Sequence, residues 1–441
     1  MQSPLAQHTN VKHLRFWTSP VVRVHDAEQG IYLGVAARTS VFSGAQRSVL
    51  ALGPTRSGKT SSLLIPNVLL SSCAVVTTST KDDVLRATSD RRRDAGHVLL
   101  FDPSGTVECP RDVRRVGWSP VHAATTWDAS VLTADSMVDA ARLRARGSGA
   151  ADHWTERART LLAPLLHAAA LESRDVTDLA RWVDLREGRE PLAALVRHAG
   201  DGHQAAASLS GVLATDAREL SGIWSTTSGV LSAWRTDAAR AAAAAPALEL
   251  ESFVLCPNTL HVVSPSRHQA STAPVVAGLL DAIVHATYDA HVHGARVLLA
   301  LDELANVAPL PSLPSIVSEG GAQGVSVLGC LQDLSQARVR WGTAAEGFLS
   351  LFPTAVVLPG IADRWTLEAV SALAGRHDVT SRSVSRARGR RSVTSSVISR
   401  SRLEVDEVAR GRTGQAIVLD ASKRVGWVEL TPAHRDTRFG V

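Results

Sequence analysis

The apolar positions of this chain fall into two kinds of pattern. In the first, short uninterrupted runs end abruptly at polar or Gly/Pro-rich turns: 48–52 (SVLAL), 74–78 (AVVTT), 97–101 (HVLLF), 259–263 (TLHVV), 297–301 (VLLAL), 325–331 (VSVLGCL) and 354–358 (TAVVL). Apolar runs that do not alternate belong to strands covered on both faces, the condition of a parallel sheet with helices on either side. Late in the chain, 415–419 and 426–430 flank Asp420-Ala-Ser-Lys-Arg and predict an antiparallel hairpin. The second pattern fills 121–249, where Ala, Leu and Arg recur at helical spacing, as in HWTERARTLLAPLLHAAALE (153–172). Trp118, Trp127, Trp154, Trp182, Trp224 and Trp234 lie in or at the edge of that stretch and are expected to anchor helix packing.

The expected organisation is therefore an α/β fold with a mostly parallel central sheet. It comprises an N-terminal segment 1–29, a discontinuous α/β domain made of 30–120 and 250–441, and an inserted all-α domain at 121–249. Residues 60–80 carry no charge, but Pro66-Asn67 and the many Ser and Thr predict a buried helix then a buried strand, with a bend or early end at Pro66.

Composition narrows the class. With 45% hydrophobic and 20% charged residues the chain can build a core and is not a disordered one. Cys73, Cys109, Cys256 and Cys330 are far apart and form no CxxC pair, so neither a zinc site nor a disulfide framework is expected, and a reducing, cytoplasmic setting fits. The start, MQSPLAQHTNVKHLRFW, is not a signal peptide, and no transmembrane segment is read anywhere. A formal charge of +5, carried almost wholly by Arg, suits a polyanionic partner without demanding one.

The chemistry begins at Gly53-Pro54-Thr55-Arg56-Ser57-Gly58-Lys59-Thr60, a GxxxxGK[ST] phosphate loop between a predicted strand and helix. Such a loop turns backbone N–H groups onto a β-phosphate, sets the positive end of a helix behind them, and lets Lys59 reach the β- and γ-phosphates while Thr60 ligates Mg²⁺. The second feature is VLLAL followed by Asp302-Glu303: a carboxylate pair at the carboxyl end of a buried strand, the edge where parallel sheets bind ligands. Asp302 is expected to hold Mg²⁺ through a water and Glu303 to activate the attacking water. Gln332, ending VSVLGCL, is a candidate sensor of the γ-phosphate. An additional strand and a catalytic Glu together point to the RecA-like class of ATPase.

The segment GPTRSGKTSSLLIPNVLL resembles the first motif of type IV secretion coupling proteins, the TraG/TraD family of conjugative DNA pumps related to FtsK-type translocases. The similarity continues in order through 75–84, 97–105, 117–121, 153–166, 259–283, 298–342 and 354–375, and LDELANVAPLPSL is its most telling piece. The resemblance implies a RecA-like ATPase with an inserted all-α domain, working with ATP and Mg²⁺ as a homo-hexamer. It implies DNA bound to a relaxase as substrate, recruited and translocated toward membrane-embedded secretion channel components. It also matches Lys59 and Thr60 to the family's Walker A, Asp302-Glu303 to its Walker B and Gln332 to its third motif.

Two departures stand out. Family members usually begin with a membrane-anchoring helical segment, and none is read here, so the expected location is cytoplasmic and peripheral at the inner face of the cell membrane. Where the family commonly shows one or two Arg before Gly324, this chain has Gly321-Ala322-Gln323, leaving Arg338, Arg340 and Arg364 as candidates for a trans-acting finger. Residues 381–402 hold seven arginines and no acid, either a contact for phosphate backbone or a solvated loop or hairpin extension. Arg91, Arg92 and Arg93 are expected on a helix surface. Two other readings stay open: an ATP-switched docking adaptor that does not pump, and an FtsK/TraB-like double-stranded DNA translocase.

Overall fold

The computed structural model describes residues 30–145, 151–200, 202–387, 390–420 and 425–439; the predicted segment 1–29 lies outside the described residues. Its strands are β1 (Tyr32–Ala36), β2 (Thr39–Phe42), β3 (Val49–Leu52), β4 (Ala74–Ser79), β5 (Val98–Phe101), β6 (Arg114–Arg115) and β7 (Thr259–Val263). There follow β8 (Val297–Leu301), β9 (Val325–Leu331), β10 (Thr354–Val357), β11 (Arg376–Ala387), β12 (Arg390–Ser401), β13 (Gln415–Asp420) and β14 (Val425–Glu429). Twelve of them form one sheet in the order β2-β1-β14-β13-β10-β3-β9-β8-β4-β7-β5-β6. From β10 to β6 every pairing is parallel. The remaining four strands add on as an antiparallel edge. Burial explains the split: β3, β4, β7 and β8 are buried at every position, as continuous apolar runs require, whereas β14 alternates.

All seven predicted parallel runs are strands, and the predicted late hairpin is β13–β14. The sequence reading missed β1, β2 and β6; of the alternatives left open for 381–402, the hairpin extension is the one found, as the separate two-stranded ribbon β11–β12. β1 and β2 turn through Ala37 and Arg38, both at positive φ, a hairpin turn without the Asn-Gly or Asp-Gly signature that announces one.

Between β6 and β7 the chain is helical, from Trp127–Ala145 to Leu250–Leu255. The 21-residue helix Ala151–Leu171 is its axis, burying Leu161, Leu162, Leu165 and Leu166 against its neighbours. Asp175 and Asp216 cap the starts of Val176–Leu185 and Ala217–Val230 by accepting from two backbone N–H groups each. Trp182, Trp224 and Trp234 are buried in this packing, while Trp154 stays partly exposed.

Two local expectations are corrected. Pro66 does not end its helix early: Ile65 N–H reaches back to Thr60 O in a π turn, and Pro66 falls in the first turn of Ile65–Leu70, where a missing N–H is harmless. Arg92 is not a surface residue. It is buried, donating to Thr259 Oγ1 (2.6 Å), Pro257 O (2.9 Å), Cys73 O (3.1 Å) and Ser71 O. One described helix, Gln269–Ala290, is long and apolar enough to cross a membrane, but most of it is buried in the core against Trp127–Ala145 and Leu250–Leu255.

Candidate nucleotide-binding site

β3 delivers the chain into Gly53 at the carboxyl edge of the parallel strands, with Gly53 N donating to Leu331 O (3.2 Å) at the end of neighbouring β9. Ser57 N then closes a turn onto Pro54 O (3.2 Å). Arg56 takes a φ of 65° and Gly58 one of 101°, the second a conformation that side chains rarely adopt, which is why glycine stands there. Helix begins at once at Thr60, and Ser62 N is already spent on Gly58 O (2.8 Å), leaving the N–H groups before it free of helical bonds. Ser57 Oγ is buried in the loop without a hydrogen-bond partner.

Lys59 is buried, and its ammonium donates to the carbonyls of Gly53 and Pro54 (the latter at 3.1 Å). An ammonium has three donors, so two tie it across the loop and one is left to meet an anion. From Thr60, Oγ1 donates to Asp302 Oδ2 at 2.7 Å, joining residues 242 positions apart. Asp302 is pinned by its own backbone, whose N–H donates to Thr78 O (3.2 Å) and whose carbonyl accepts from Thr78 Oγ1 (3.0 Å). Its Oδ1 accepts from Glu303 N at 3.1 Å. Burial pushes the Asp302 carboxyl above the usual carboxylate range and the Glu303 charge adds to this, while the Thr60 bond and Lys59 pull it back.

Glu303 sits half-buried in the left-handed region (φ 50°, ψ 44°), at the point where β8 gives way to the short helix Leu304–Val307. Such a backbone costs a non-glycine residue roughly 1–2 kcal/mol and persists only where the surrounding structure over-determines it. Asn306 Nδ2 donates to Glu303 Oε2 at 3.1 Å, orienting the carboxylate. The sequence reading missed Asn306, though its i+3 spacing within LDELAN was the available signal. Gln332 stands partly buried at the end of β9, which separates β3 from β8, so the phosphate loop, Gln332 and the acidic pair follow one another along a single sheet edge.

The three candidate finger arginines are all outside that edge cluster. Arg338 lies 4.3 Å over the Trp365 ring and 3.8 Å from Asp363. Arg364 is exposed and bonded to Glu368 (2.7 Å). Arg340 lines an open cleft with Asp139, Arg142, Pro311 and Trp341. At Gly321 a Cβ would come within 2.2 Å of Gln46 O, so no arginine fits there.

For a nucleotide the fit is good: a buried hydroxyl without a partner, an ammonium held across the loop and a row of helix-start N–H groups converge where phosphates would lie. For a metal, the described residues assemble no group of three or more His, Cys, Asp or Glu. The Thr60 hydroxyl and Asp302 carboxylate are hard oxygen donors suited to Mg²⁺ completed by phosphate oxygens and water.

A parallel sheet with a phosphate loop after one strand, an acid pair after another and a third strand between them defines a RecA-like P-loop fold with a helical insertion. Solved structures share it. The unbound bacterial conjugative coupling protein TrwBdeltaN70 superposes with a TM-score of 0.70 at 20% identity, covering 91% of this chain and 88% of that one. The plasmid coupling protein TrwB in complex with the ATP analogue ADPNP matches with a TM-score of 0.68 at 20% identity, covering 93% of each. VirB4 of Thermoanaerobacter pseudethanolicus matches at a TM-score of 0.51 and 12% identity, covering 91% of this chain and 96% of that one. Among curated proteins no sequence matches. The chain belongs to the type IV secretory system conjugative DNA transfer family, whose profile matches residues 6–424.

Proposed function

We propose that this chain is an ATP-hydrolysing coupling protein that recruits relaxase-bound DNA and drives it to a membrane-embedded secretion channel. The observation that carries the reading is the 2.7 Å bond from Thr60 to Asp302, which unites the two motifs a P-loop ATPase needs. TrwB, of the same fold, has been solved with ADPNP and with ADP and Mg²⁺. In this reading residues 53–60 grip the phosphates through backbone N–H groups and Lys59, and Thr60 and Asp302 hold Mg²⁺. Mg²⁺ supplies charge neutralisation on the phosphates. Glu303, oriented by Asn306, takes the proton from the attacking water, and Gln332 senses the γ-phosphate from the adjacent strand. Residues 30–120 and 250–441 form the nucleotide-binding part, and 121–249 meets the DNA–relaxase substrate. The working form is a homo-hexamer at the inner face of the cell membrane.

The test is Mg²⁺-dependent ATP hydrolysis measured with and without DNA. The expected result is stimulation by DNA and loss of activity in Lys59→Ala. Turnover that DNA does not change supports a docking adaptor in place of a pump.

A further inference from the structure

We infer that the ribbon β11–β12 is a nucleic-acid-binding arm that grips phosphate backbone without reading bases. The inference rests on the reading above that DNA is the substrate, and assigns an element to its capture. Two strands of 12 residues pair in register from Arg376 opposite Ser401 to Ala387 opposite Arg390, separately from the main sheet. At about 3.4 Å per residue the arm is about 40 Å long, rather more than one turn of duplex. It is rooted where Arg402 N donates to Gly375 O (2.8 Å) and Ser371 Oγ to Leu403 O (2.6 Å). From 395 to 400 every side chain is exposed.

Its charge is out of proportion to the rest. Residues 376–402 hold eight arginines against one acid, Asp378, so of the chain's 47 basic and 42 acidic residues the remainder holds 39 and 41. Without the arm this protein is slightly acidic. Ten Ser and Thr are interspersed with those arginines, hydroxyl donors that suit phosphate oxygens, and Arg rather than Lys supplies the bidentate fork. No Phe, Tyr or Trp lies within it, so bases have nothing to stack on. A bilayer-binding element needs one continuous apolar face. The exposed Val397 and Ile398 are neighbours on one strand and so point to opposite faces.

The experiment measures binding of fluorescent single-stranded and duplex oligonucleotides by the full chain across a salt series. Changing Arg382, Arg386, Arg390, Arg391 and Arg400 together to Gln is expected to weaken affinity at least tenfold at 150 mM salt. The slope of log affinity against log salt should fall by about 4, since each of the five phosphate contacts contributes about 0.7–0.9. The matching Arg→Lys protein keeps its slope. Unchanged circular dichroism and fluorescent-nucleotide binding check folding; should the fivefold variant not fold, Arg382→Gln and Arg400→Gln singly carry the test, each lowering the slope by about 0.7. Equal slope and affinity in wild type and the Gln form overturn the arm, as does unchanged DNA affinity with lost binding to phosphatidylglycerol vesicles. If DNA still stimulates hydrolysis in that case, the motor reading stands without the arm; a wild type that binds no DNA sinks both.

Discussion

Replacing Glu303 by Gln removes one negative charge and almost nothing else. The amide still accepts from Asn306 Nδ2, whose present bond is 3.1 Å, and the left-handed backbone is unchanged. The phosphate grip is untouched, because Lys59 is held by the Gly53 and Pro54 carbonyls and Thr60 by Asp302. Nucleotide affinity should therefore stay within about twofold, an energy of about 0.4 kcal/mol on the tenfold scale of 1.36. Turnover should behave differently, since a positioned general base contributes about 10²–10⁴ in rate, or about 3–5 kcal/mol of barrier. A second effect follows from the neighbouring carboxyl. The Glu303 charge helps raise the Asp302 pKa, so its removal lets Asp302 ionise at lower pH and moves the Mg²⁺ requirement for nucleotide binding to lower pH. Phosphate release at saturating ATP and titration with a fluorescent nucleotide separate the two quantities. Hydrolysis within about threefold of wild type would refute the assignment of Glu303 as base, since that leaves under about 0.7 kcal/mol to explain.

Three further outcomes follow from the same structure. Burial raises the folded Asp302 pKa, so its ionised form costs stability above the ordinary carboxyl range; Asp302→Asn should raise the nucleotide-free thermal midpoint at pH 7 while abolishing the Mg²⁺-dependent gain from ATP, and a lowered midpoint contradicts this. Asp281 is buried on Gln269–Ala290 and accepts from Ser136 and Ser312, with His285 lowering and Asp139 raising its pKa slightly against a dominant upward shift from burial. Its stabilising contribution is complete below about pH 4 and lost as pH rises through the raised value, so the midpoint of wild type relative to Asp281→Asn should fall from pH 4 to 7, and a constant difference refutes it. Arg92→Met leaves a threonine hydroxyl and three carbonyls without their buried donor and should cost at least about 3 kcal/mol in denaturant melts, against under 1 if the network is dispensable.

What could be read from the chain alone follows from physics. Strands buried on both faces advertise themselves by uninterrupted apolar runs, so β3, β4, β7, β8 and β9 were legible with their ends, and with them the residues at the sheet's edge. The ribbon β11–β12 could be read only as a hairpin extension or a solvated loop, because Arg, Ser and Thr predominate along it and give a period of two little to mark. Arg92 was misjudged because three consecutive arginines on a helix point 100° apart, and one of them turns inward. Asn306 and Thr78 went unnoticed because their work is to hold Glu303 and Asp302, a relation only the folded geometry displays.

The most direct measurement is a crystal structure of the chain with a non-hydrolysable ATP analogue and Mg²⁺. The expected density places the phosphates against the backbone N–H groups of 58–60 and within hydrogen-bond distance of Lys59 Nζ, with the metal held by Thr60 and, through a water, by Asp302. Phosphates bound elsewhere, or a loop 53–60 still empty at saturating nucleotide, would contradict it.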